Sequence, residues 1–280
     1  MRIAVTGASG FCGGVLARLA AGAGHDVRCL GRRPGPVGRH VPWDAALGEP
    51  DLGDAEAIVH LAAAVGDPPP GRRIEEAFRR VNVDGTRRLM TAAAGRPVVW
   101  VSSASVYRPG PYRAPVREDH PVDRQRTAYG RTKAIGEGIA LAGHAVVLRP
   151  RAVYGAGDPH LMPRLRQIVR GGRAWLPGPD VPLSLTAVEN LASACLAAIE
   201  WPAGAYNIAD DVVYRRDDAV ATVLGVPVRH VPLPVARTAA MLPGRTLTRY
   251  SVDQVTDGMV LDIGKAVSTG WRPEISLMSS

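Results

Sequence analysis

The chain has 280 residues, of which 46% are hydrophobic and 21% are charged, and its formal net charge is +8. That length can bury a large core, and the composition is typical of a globular protein. No run of about 18 uncharged apolar residues occurs, which excludes a transmembrane helix. The basic residues stand singly or in pairs without interleaved aromatic residues, so the charge does not indicate nucleic acid binding.

The start of the chain and its cysteines indicate the cellular compartment in which we expect the protein. The sequence opens MRIAV and enters an apolar run at once, without the pattern of a signal peptide. Its three cysteines, Cys12, Cys29 and Cys195, are far apart and lack metal-ligand spacing. We therefore expect a cytoplasmic protein with free thiols and no metal site.

The first half of the chain alternates short apolar runs with helical patterns. The runs RIAVTG, HDVRCLG, AIVHLAA, PVVWVSS and HAVVLRP predict buried strands, with helices between them. Continuous apolar strands separated by helices favour a parallel sheet that is covered on both faces. Right-handed crossovers then produce a doubly wound α/β sheet of the Rossmann type.

After Pro150 the pattern loosens and Pro and Gly become dense. A helical pattern, VENLASACLAAIE, and a strand, AYNIAD, then return. We therefore predict that the chain folds back into the sheet before it ends. The predicted units are a Rossmann domain of residues 1–155 and 186–210, and a smaller C-terminal substrate-binding lid of residues 156–185 and 211–280.

A glycine-rich segment, VTGASGFCGG, joins the first predicted strand to the first helix. It contains Gly7, Gly10 and Gly13. Glycines there permit a tight turn and a close approach of the backbone to a pyrophosphate, which faces the free N–H groups of the helix N-terminus. The segment predicts a dinucleotide site; the alternative is a packing turn without a ligand.

The end of the second strand indicates which dinucleotide binds. The strand ends CLGRR, so Gly31 stands where an acidic residue would accept hydrogen bonds from the adenosine ribose of NAD. Arg32 and Arg33 follow, and two guanidinium groups match a 2′-phosphate in charge and geometry. We therefore predict NADP(H) rather than NAD; the alternative is that both arginines are only solvated.

The segment TAYGRTK contains Tyr129 and, one helical turn later, Lys133, which is one of only two lysines in an arginine-rich chain. The two side chains share a helix face. A nearby ammonium stabilises a phenolate and lowers its pKa from about 10 towards neutrality. Ser103 follows an apolar strand at its carboxyl end, where open sheets bind ligands. These residues predict a site of proton transfer to a carbonyl oxygen. The alternatives are that Tyr129 and Lys133 are only neighbours on a solvated helix and that Ser103 is a strand-end serine that bonds the backbone.

Taken together and in order, the motifs resemble the extended short-chain dehydrogenase/reductase family, which includes the NAD-dependent epimerase/dehydratase group. The resemblance covers roughly residues 1–210, and the tail matches loosely. Seven segments carry it: TGASGFCG after the first strand, HLAA at His60–Ala63, NVDGT at Asn82–Thr86, SSASVY at Ser102–Tyr107, YGRTK at Tyr129–Lys133, RPRAVYG at Arg149–Gly155, and YNIAD at Tyr206–Asp210.

The resemblance implies a catalytic trio of Ser103, Tyr129 and Lys133, with Lys133 also holding the ribose. It implies a backbone-positioning role for Asn82 and a structural role for His60. Asp44 either bonds the adenine amino group or is an ordinary loop residue. The implied cofactor site consists of Gly7, Ser9, Gly10, Phe11, Cys12, Gly13, Arg32, Arg33, Asp44, Leu61, Ala62, Ala63, Tyr129, Lys133, Pro150 and Val153.

Departures from the family pattern indicate the substrate. In the family that this chain resembles, members that act on nucleotide-diphosphate sugars carry an Arg that binds the pyrophosphate. Leu183 stands at that position in this chain, and Asn190 stands where the family has an Asp. We therefore predict a ketone or aldehyde reductase, with the alcohol dehydrogenase direction also open. Two alternatives are an NAD-retaining sugar-nucleotide epimerase or dehydratase and a non-catalytic NADP-binding sensor.

The expected substrate is a small or medium, partly apolar metabolite. Met162, Trp175, Leu176 and Leu183 indicate an apolar pocket in the lid, or ordinary packing of the lid. Neither nucleic acid nor a membrane is an expected partner. Similar enzymes dimerise through two helices that correspond to residues 72–94 and 127–142, whose Ala and Gly content permits a homodimer.

Overall fold

The computed structural model describes residues 1–68, 70–241 and 249–277. Its strands in these ranges are β1 (Arg2–Thr6), β2 (Asp26–Gly31), β3 (Arg39–Pro42), β4 (Ala57–His60), β5 (Val98–Val101), β6 (Val146–Pro150), β7 (Val153–Tyr154), β8 (Val169–Arg170), β9 (Arg173–Pro177), β10 (Pro182–Leu183), β11 (Thr186–Ala187), β12 (Gly204–Ile208), β13 (Tyr214–Arg215) and β14 (Val228–Val231).

The helices of the described residues are α1 (Phe11–Gly22), α2 (Arg72–Arg79), α3 (Gly85–Ala93), α4 (Ala128–Ala142), α5 (Leu161–Arg166), α6 (Val188–Ala197), α7 (Arg216–Leu224), α8 (Leu233–Ala239), α9 (Arg249–Thr256) and α10 (Gly264–Val267). A π-helical turn, Arg80–Asp84, joins α2 to α3. Two 3-10 turns span Ala104–Val106 and Ala198–Glu200.

Seven parallel strands form the central sheet, in the order β12-β6-β5-β4-β1-β2-β3. The predicted doubly wound parallel sheet is therefore confirmed. The chain runs outward from β1 to β3 and then returns to the other side of β1 as β4, so the order reverses between β1 and β4. The carboxyl ends of strands at such a reversal are where open α/β sheets bind ligands.

Side chains on alternate positions of β1 enter two different cores, as the period of a strand requires. Ile3 and Val5 pack with Leu16 of α1 on one face of the sheet. Ala4 packs on the other face with Leu89 of α3. Both faces are thus covered by helices, which accounts for the continuous apolar character of the strands.

The start of α4 is fixed by a side-chain cap. Thr127 accepts a hydrogen bond from the backbone N–H of Gly130 at 3.0 Å through its Oγ1. This contact satisfies one of the N–H groups that a helix start leaves without a partner. Tyr129 consequently lies in the first turn of α4, close to the carboxyl ends of the strands.

Three small sheets lie beyond the central one. β7 pairs with β11, β10 pairs with β13, and β9 lies between β8 and β14. The assignment of this part to a substrate-binding lid stays a prediction. Residues 242–248 and 278–280 of the predicted lid lie outside the described residues. Within the described part of the chain, no helix combines the length and apolarity needed to cross a bilayer.

Candidate active site

The glycine-rich loop has the geometry that a pyrophosphate needs. Gly7 has a φ of +71°, and a Cβ on Gly13 would stand 2.3 Å from the carbonyl oxygen of Gly7. Helix α1 follows directly after Gly10, which caps it without a side-chain hydrogen bond, and the first turn contains no acidic residue. The N–H groups of this turn are therefore open to an anion. These features fit a dinucleotide.

The segment after β4 lies beside that loop. A Cβ on Gly7 would stand 2.9 Å from the backbone nitrogen of Ala62. Thr6, which the sequence analysis missed, joins the two segments: its Oγ1 accepts hydrogen bonds from the N–H groups of Leu61, at 3.1 Å, and Ala62, at 3.0 Å. Leu61 and Ala62, which are predicted cofactor residues, are thus held against the loop by a strand-end hydroxyl.

His60 has the structural role expected of it. Its ring Nδ1 lies 2.8 Å from Thr6 Oγ1, and the side chain is buried. Burial, with a smaller contribution from the charge of Lys133, lowers the pKa of His60 to about 3. The imidazole is consequently neutral at physiological pH and completes the hydrogen-bond set of Thr6.

Asn82 lies in the π-helical turn, where its side chain points to a backbone segment. Its Oδ1 accepts from the N–H of Ala64 at 2.8 Å, and its Nδ2 donates to the carbonyl of Ala64 and to Thr132 Oγ1, each at 3.0 Å. The amide therefore ties the segment after β4 to α4. This is the backbone-positioning role that the sequence predicts.

At the end of β2, Arg32 and Arg33 are both exposed. His40 of the neighbouring β3 lies beside them, with its Nε2 2.9 Å from the carbonyl oxygen of Gly31. The sequence analysis missed this residue because β3 has only four residues, which is too short for an alternation to be recognised. Asp44 accepts a hydrogen bond at 2.9 Å from the N–H two residues later, so its side chain caps its own turn. Its contact with adenine stays a prediction.

Ser103 and Tyr129 are brought together at the carboxyl edge of the sheet. Ser103 follows β5 and caps the next 3-10 turn, where its Oγ accepts from the N–H of Ser105 at 3.1 Å. Burial raises the pKa of Tyr129 to about 12, and a hydrogen bond with Ser103 opposes that rise. The Tyr129 phenol therefore holds a proton at neutral pH.

Lys133 is also buried, one turn further along α4. Its Nζ donates to the carbonyl oxygen of Val101 at 2.7 Å and lies 3.7 Å from the ring centroid of Trp100. Burial lowers the pKa of Lys133 to about 7, and the charge of Glu137 opposes the shift. Burial has the larger effect on Tyr129 and holds the pKa of the phenol above its ordinary value. The lowering of the Tyr129 pKa by Lys133 therefore stays a prediction.

A buried ion pair below the trio was missed by the sequence analysis. Arg149 of β6 pairs with Glu137 of α4, which also accepts a hydrogen bond from Ser102 Oγ at 2.5 Å. Arg149 donates to the hydroxyl of Tyr107 at 2.8 Å as well. These contacts lock α4 to β5 and β6, and thereby set the position of Tyr129 against Ser103.

Two adjoining cavities, both partly open to solvent, lie close to the chain neighbours of Ser103 and Tyr129. We call them together the cleft. Tyr112 and Tyr250 line both cavities. Ser105 and Thr127 line the cavity that adjoins Ser103 and Tyr129, and Arg151 lines the other. The cleft therefore extends away from the trio towards the C-terminal part of the chain.

The apolar residues expected to form a pocket lie elsewhere. Leu176 is buried in a small core with Ala174 and Val220, and Trp175 is 41% exposed. Both belong to β9, whose alternation turns one side chain inward and the next outward. Packing of the small sheet explains them. Met259 and Pro109 supply apolar surface to the cleft instead.

Asn190, which departs from the family pattern, anchors the C-terminal segment. Its Nδ2 donates to Asp210 Oδ1 at 2.8 Å and to the carbonyl of Ile275 at 2.7 Å. Its Oδ1 accepts from the N–H groups of Glu274, at 2.9 Å, and Ile275, at 3.0 Å. An aspartate here could not donate and would face Asp210, so the amide is required by this contact set.

Among the described residues, no three or more His, Cys, Asp or Glu side chains are grouped as metal ligands. Pro150 ends β6 and Val153 begins β7, so both lie at the same carboxyl edge as the trio. Ser9, Phe11 and Cys12 lie in the glycine-rich segment itself, and Ala63 lies in the segment after β4. The predicted cofactor residues thus border one edge of the sheet.

Comparison with known proteins places the chain by sequence and by fold. A model of the NAD dependent epimerase/dehydratase family matches residues 3–209. The protein MoeE5, solved in complex with UDP-glucose and NAD, has a TM-score of 0.77 and 25% sequence identity. That similarity covers 100% of this chain and 95% of the MoeE5 chain.

Two sequence relatives are reductases. The chain is 30% identical over 230 residues to 2-alkyl-3-oxoalkanoate reductase of Stenotrophomonas maltophilia, over 71% of this chain and 66% of that protein. It is also 30% identical over 284 residues to 4-hydroxy-2-methyl-3-oxo-4-farnesyl-3,4-dihydroquinoline-1-oxide ketoreductase of Stigmatella aurantiaca. The second match covers 91% of this chain and 83% of that protein.

Proposed function

Since the chain belongs to the NAD-dependent epimerase/dehydratase family of nicotinamide-dinucleotide enzymes, we propose that it is an NADP(H)-dependent reductase of a ketone or aldehyde on a small or medium, partly apolar metabolite. The observation that carries this proposal is the placement of Ser103 and Tyr129 together at the carboxyl edge of the sheet near the cleft, where burial keeps the Tyr129 phenol protonated. That arrangement is suited to protonating a carbonyl oxygen.

The bound nicotinamide would supply a hydride to the carbonyl carbon. The Ser103 hydroxyl would donate a hydrogen bond to the carbonyl oxygen and so polarise it. Tyr129 would transfer its phenolic proton to that oxygen, which leaves an alcohol and a phenolate. The Lys133 ammonium, one helical turn away, would stabilise the phenolate and hold the nicotinamide ribose.

The preference for NADP(H) is supported by the end of β2. Gly31 offers no carboxylate to the adenosine ribose, and the two exposed arginines, with His40 beside them, suit a 2′-phosphate. We expect NADPH to raise the melting temperature more than NADH does. Arg32→Ala with Arg33→Ala should weaken NADPH binding roughly 10-fold or more and leave NADH binding unchanged. An equal loss for both cofactors would remove the arginines from this role.

Reduction of a carbonyl group is supported by relatives that are reductases, two of which are described above. The similarity to MoeE5 favours a second candidate, an NAD-retaining sugar-nucleotide epimerase or dehydratase. The two candidates differ in cofactor handling: a reductase exchanges NADPH at every turnover, whereas the epimerase would be purified with tightly bound NAD. Absorbance of NADPH against ketones, aldehydes and sugar nucleotides, together with analysis of the cofactor released on denaturation, separates them.

A homodimer through α2, α3 and α4 is also part of the proposal. Helix α4 packs against both α2 and α3, and Ile135 of α4 is 42% exposed. An apolar side chain there would be covered by a second copy of the helices. Light scattering should give twice the chain mass, and Ile135→Glu should give a monomer; a monomeric parent protein would contradict the proposal.

A further inference from the structure

One arginine of the cleft, Arg151, differs from its neighbours Arg126 and Arg237 because it forms no ion pair among the described residues. Arg126 and Arg237 both pair with Asp253, at 2.6 Å and 3.1 Å. Arg151 lines the same cavity as Arg126, but no carboxylate forms an ion pair with it among the described residues. Its Nε is buried and has no hydrogen-bond partner in that part of the chain, while one Nη donates weakly to the carbonyl of Gln254 at 3.4 Å.

A desolvated guanidinium without an ion-pair partner lowers the stability of the fold unless an anion binds to it. Burial lowers the pKa of Arg151, yet an arginine keeps its proton at neutral pH. The second acid of the cavity, Asp257, has a raised pKa because of burial and of Asp253. Asp257 interacts electrostatically with Arg126, Arg151 and Arg237 but forms an ion pair with none of them among the described residues. Three guanidinium groups thus share two carboxylates in the described part of the cleft, which leaves an excess of one positive charge.

One neighbour of Arg151 on the cleft wall can also donate a hydrogen bond. Burial raises the pKa of Tyr112 and of Tyr250, so both phenols keep their protons. The Tyr112 hydroxyl donates its proton to the carbonyl of Arg108 at 3.2 Å, whereas the Tyr250 hydroxyl accepts a hydrogen bond from Gln254 Nε2 at 2.7 Å.

The rings of both tyrosines line the two cavities, and the cavities connect Arg151 with Ser105 and Thr127. A ligand in the cleft would therefore lie beside the chain neighbours of Ser103 and Tyr129 at one end and beside Arg151 and the Tyr250 phenol at the other.

We propose that Arg151 binds a carboxylate of the substrate, so that the substrate class is an oxo acid. The inference rests on the proposed reduction at Ser103 and Tyr129. One unpaired guanidinium matches one carboxylate in charge and in fork geometry. A pyrophosphate carries at least two negative charges and would leave one of them without a partner. The short apolar part of the acid would lie along Met259 and Pro109.

Binding tests the proposal without turnover. Hexanoate and hexanamide differ in charge but hardly in shape, and their affinities for the NADPH complex can be compared by calorimetry. We expect hexanoate to bind the parent protein at least about 10-fold more tightly, since a charge-assisted pair is strong. The preference should disappear in Arg151→Met and persist in Arg18→Met, whose arginine is exposed on α1.

Equal affinities for the acid and the amide in the parent protein would overturn the assignment. So would a preference that survives in Arg151→Met, or tighter binding of hexyl phosphate than of hexanoate. If Arg151→Met does not fold, Arg151→Lys serves instead: it keeps the charge but loses the fork, so the preference should fall to about 3-fold. An unchanged preference in Arg151→Lys would also contradict a bidentate contact.

Turnover then separates this inference from the proposed function. The parent protein should reduce 3-oxohexanoate with a kcat/KM at least about 10-fold above that of methyl 3-oxohexanoate. Faster reduction of the ester would leave the reductase proposal standing and remove the carboxylate contact. Reduction of neither compound, with the hexanoate preference intact, would remove the reductase proposal and leave the anion site standing.

Discussion

Arg149 and Arg151 are two residues apart at the end of β6, yet their surroundings differ completely. Arg149 points into the sheet, where Glu137 and Tyr107 satisfy it. Arg151 lines the cleft, where within the described residues no carboxylate pairs with it and its buried Nε has no hydrogen-bond partner. The comparison teaches that a buried cation with a full set of partners holds the fold, whereas a half-buried one without such a set is available to a ligand.

Removing the partner of Arg149 should have the largest effect on stability. Glu137→Gln would leave the Arg149 guanidinium buried without its counter-charge. We expect the free energy of unfolding to fall by about 3–5 kcal/mol, because an uncompensated buried charge is costly. Denaturant titration measures the change.

The matched control is an ion pair on the surface. Arg87 pairs with Asp84 at 2.8 Å, and both side chains are well exposed. Asp84→Asn should cost less than about 1 kcal/mol. If Glu137→Gln costs no more than this control, the buried pair is not what holds α4 to the sheet.

Lys133 is, like Arg149, a buried cation, and the pH dependence of stability should reveal its lowered pKa. Its pKa of about 7 lies below the unfolded value of about 10.5, so the unfolded chain binds more protons between these limits. Stability conferred by this position therefore rises with pH above 7. Relative to Lys133→Met, the parent protein without cofactor should gain about 2 kcal/mol between pH 7 and pH 9. Parallel pH profiles of the two proteins would contradict the lowered pKa.

Among the substitutions of buried or half-buried charged residues, Arg151→Met should change the free energy of unfolding least. The substitution breaks no ion pair among the described residues and removes a desolvated charge. We expect the free energy of unfolding to stay within about 1 kcal/mol of the parent value or to rise. A loss of about 3 kcal/mol, as in Glu137→Gln, would show that Arg151 is structural and would end the contrast with Arg149.

The sequence predicted those parts of the molecule that carry a periodic or positional signal. Continuous apolar strands indicated the parallel sheet, and glycines between β1 and α1 indicated the turn at its edge. By contrast, β7, β10 and β13 have two residues each, which is too short for any alternation to be read. The π-helical turn was also invisible, because its residues continue an ordinary helical pattern.

The sequence predicted which residues belong to the site better than it predicted the contacts between them. Glu137 and Arg149 are twelve residues apart on different elements, and nothing in either local pattern pairs them. Arg151 could not be singled out in a chain that uses arginine for almost every basic position. Tyr250 reaches the cleft from a tail whose pattern is loose, so only the fold reveals that it lines the site.

The most direct test of the central claim is NADPH consumption by Tyr129→Phe. The variant lacks only the phenolic oxygen, so it should bind NADPH with the parent affinity while kcat for ketone reduction falls by about 100-fold or more. A kcat within about 3-fold of the parent value, with NADPH affinity unchanged, would contradict the role of Tyr129 as the proton donor.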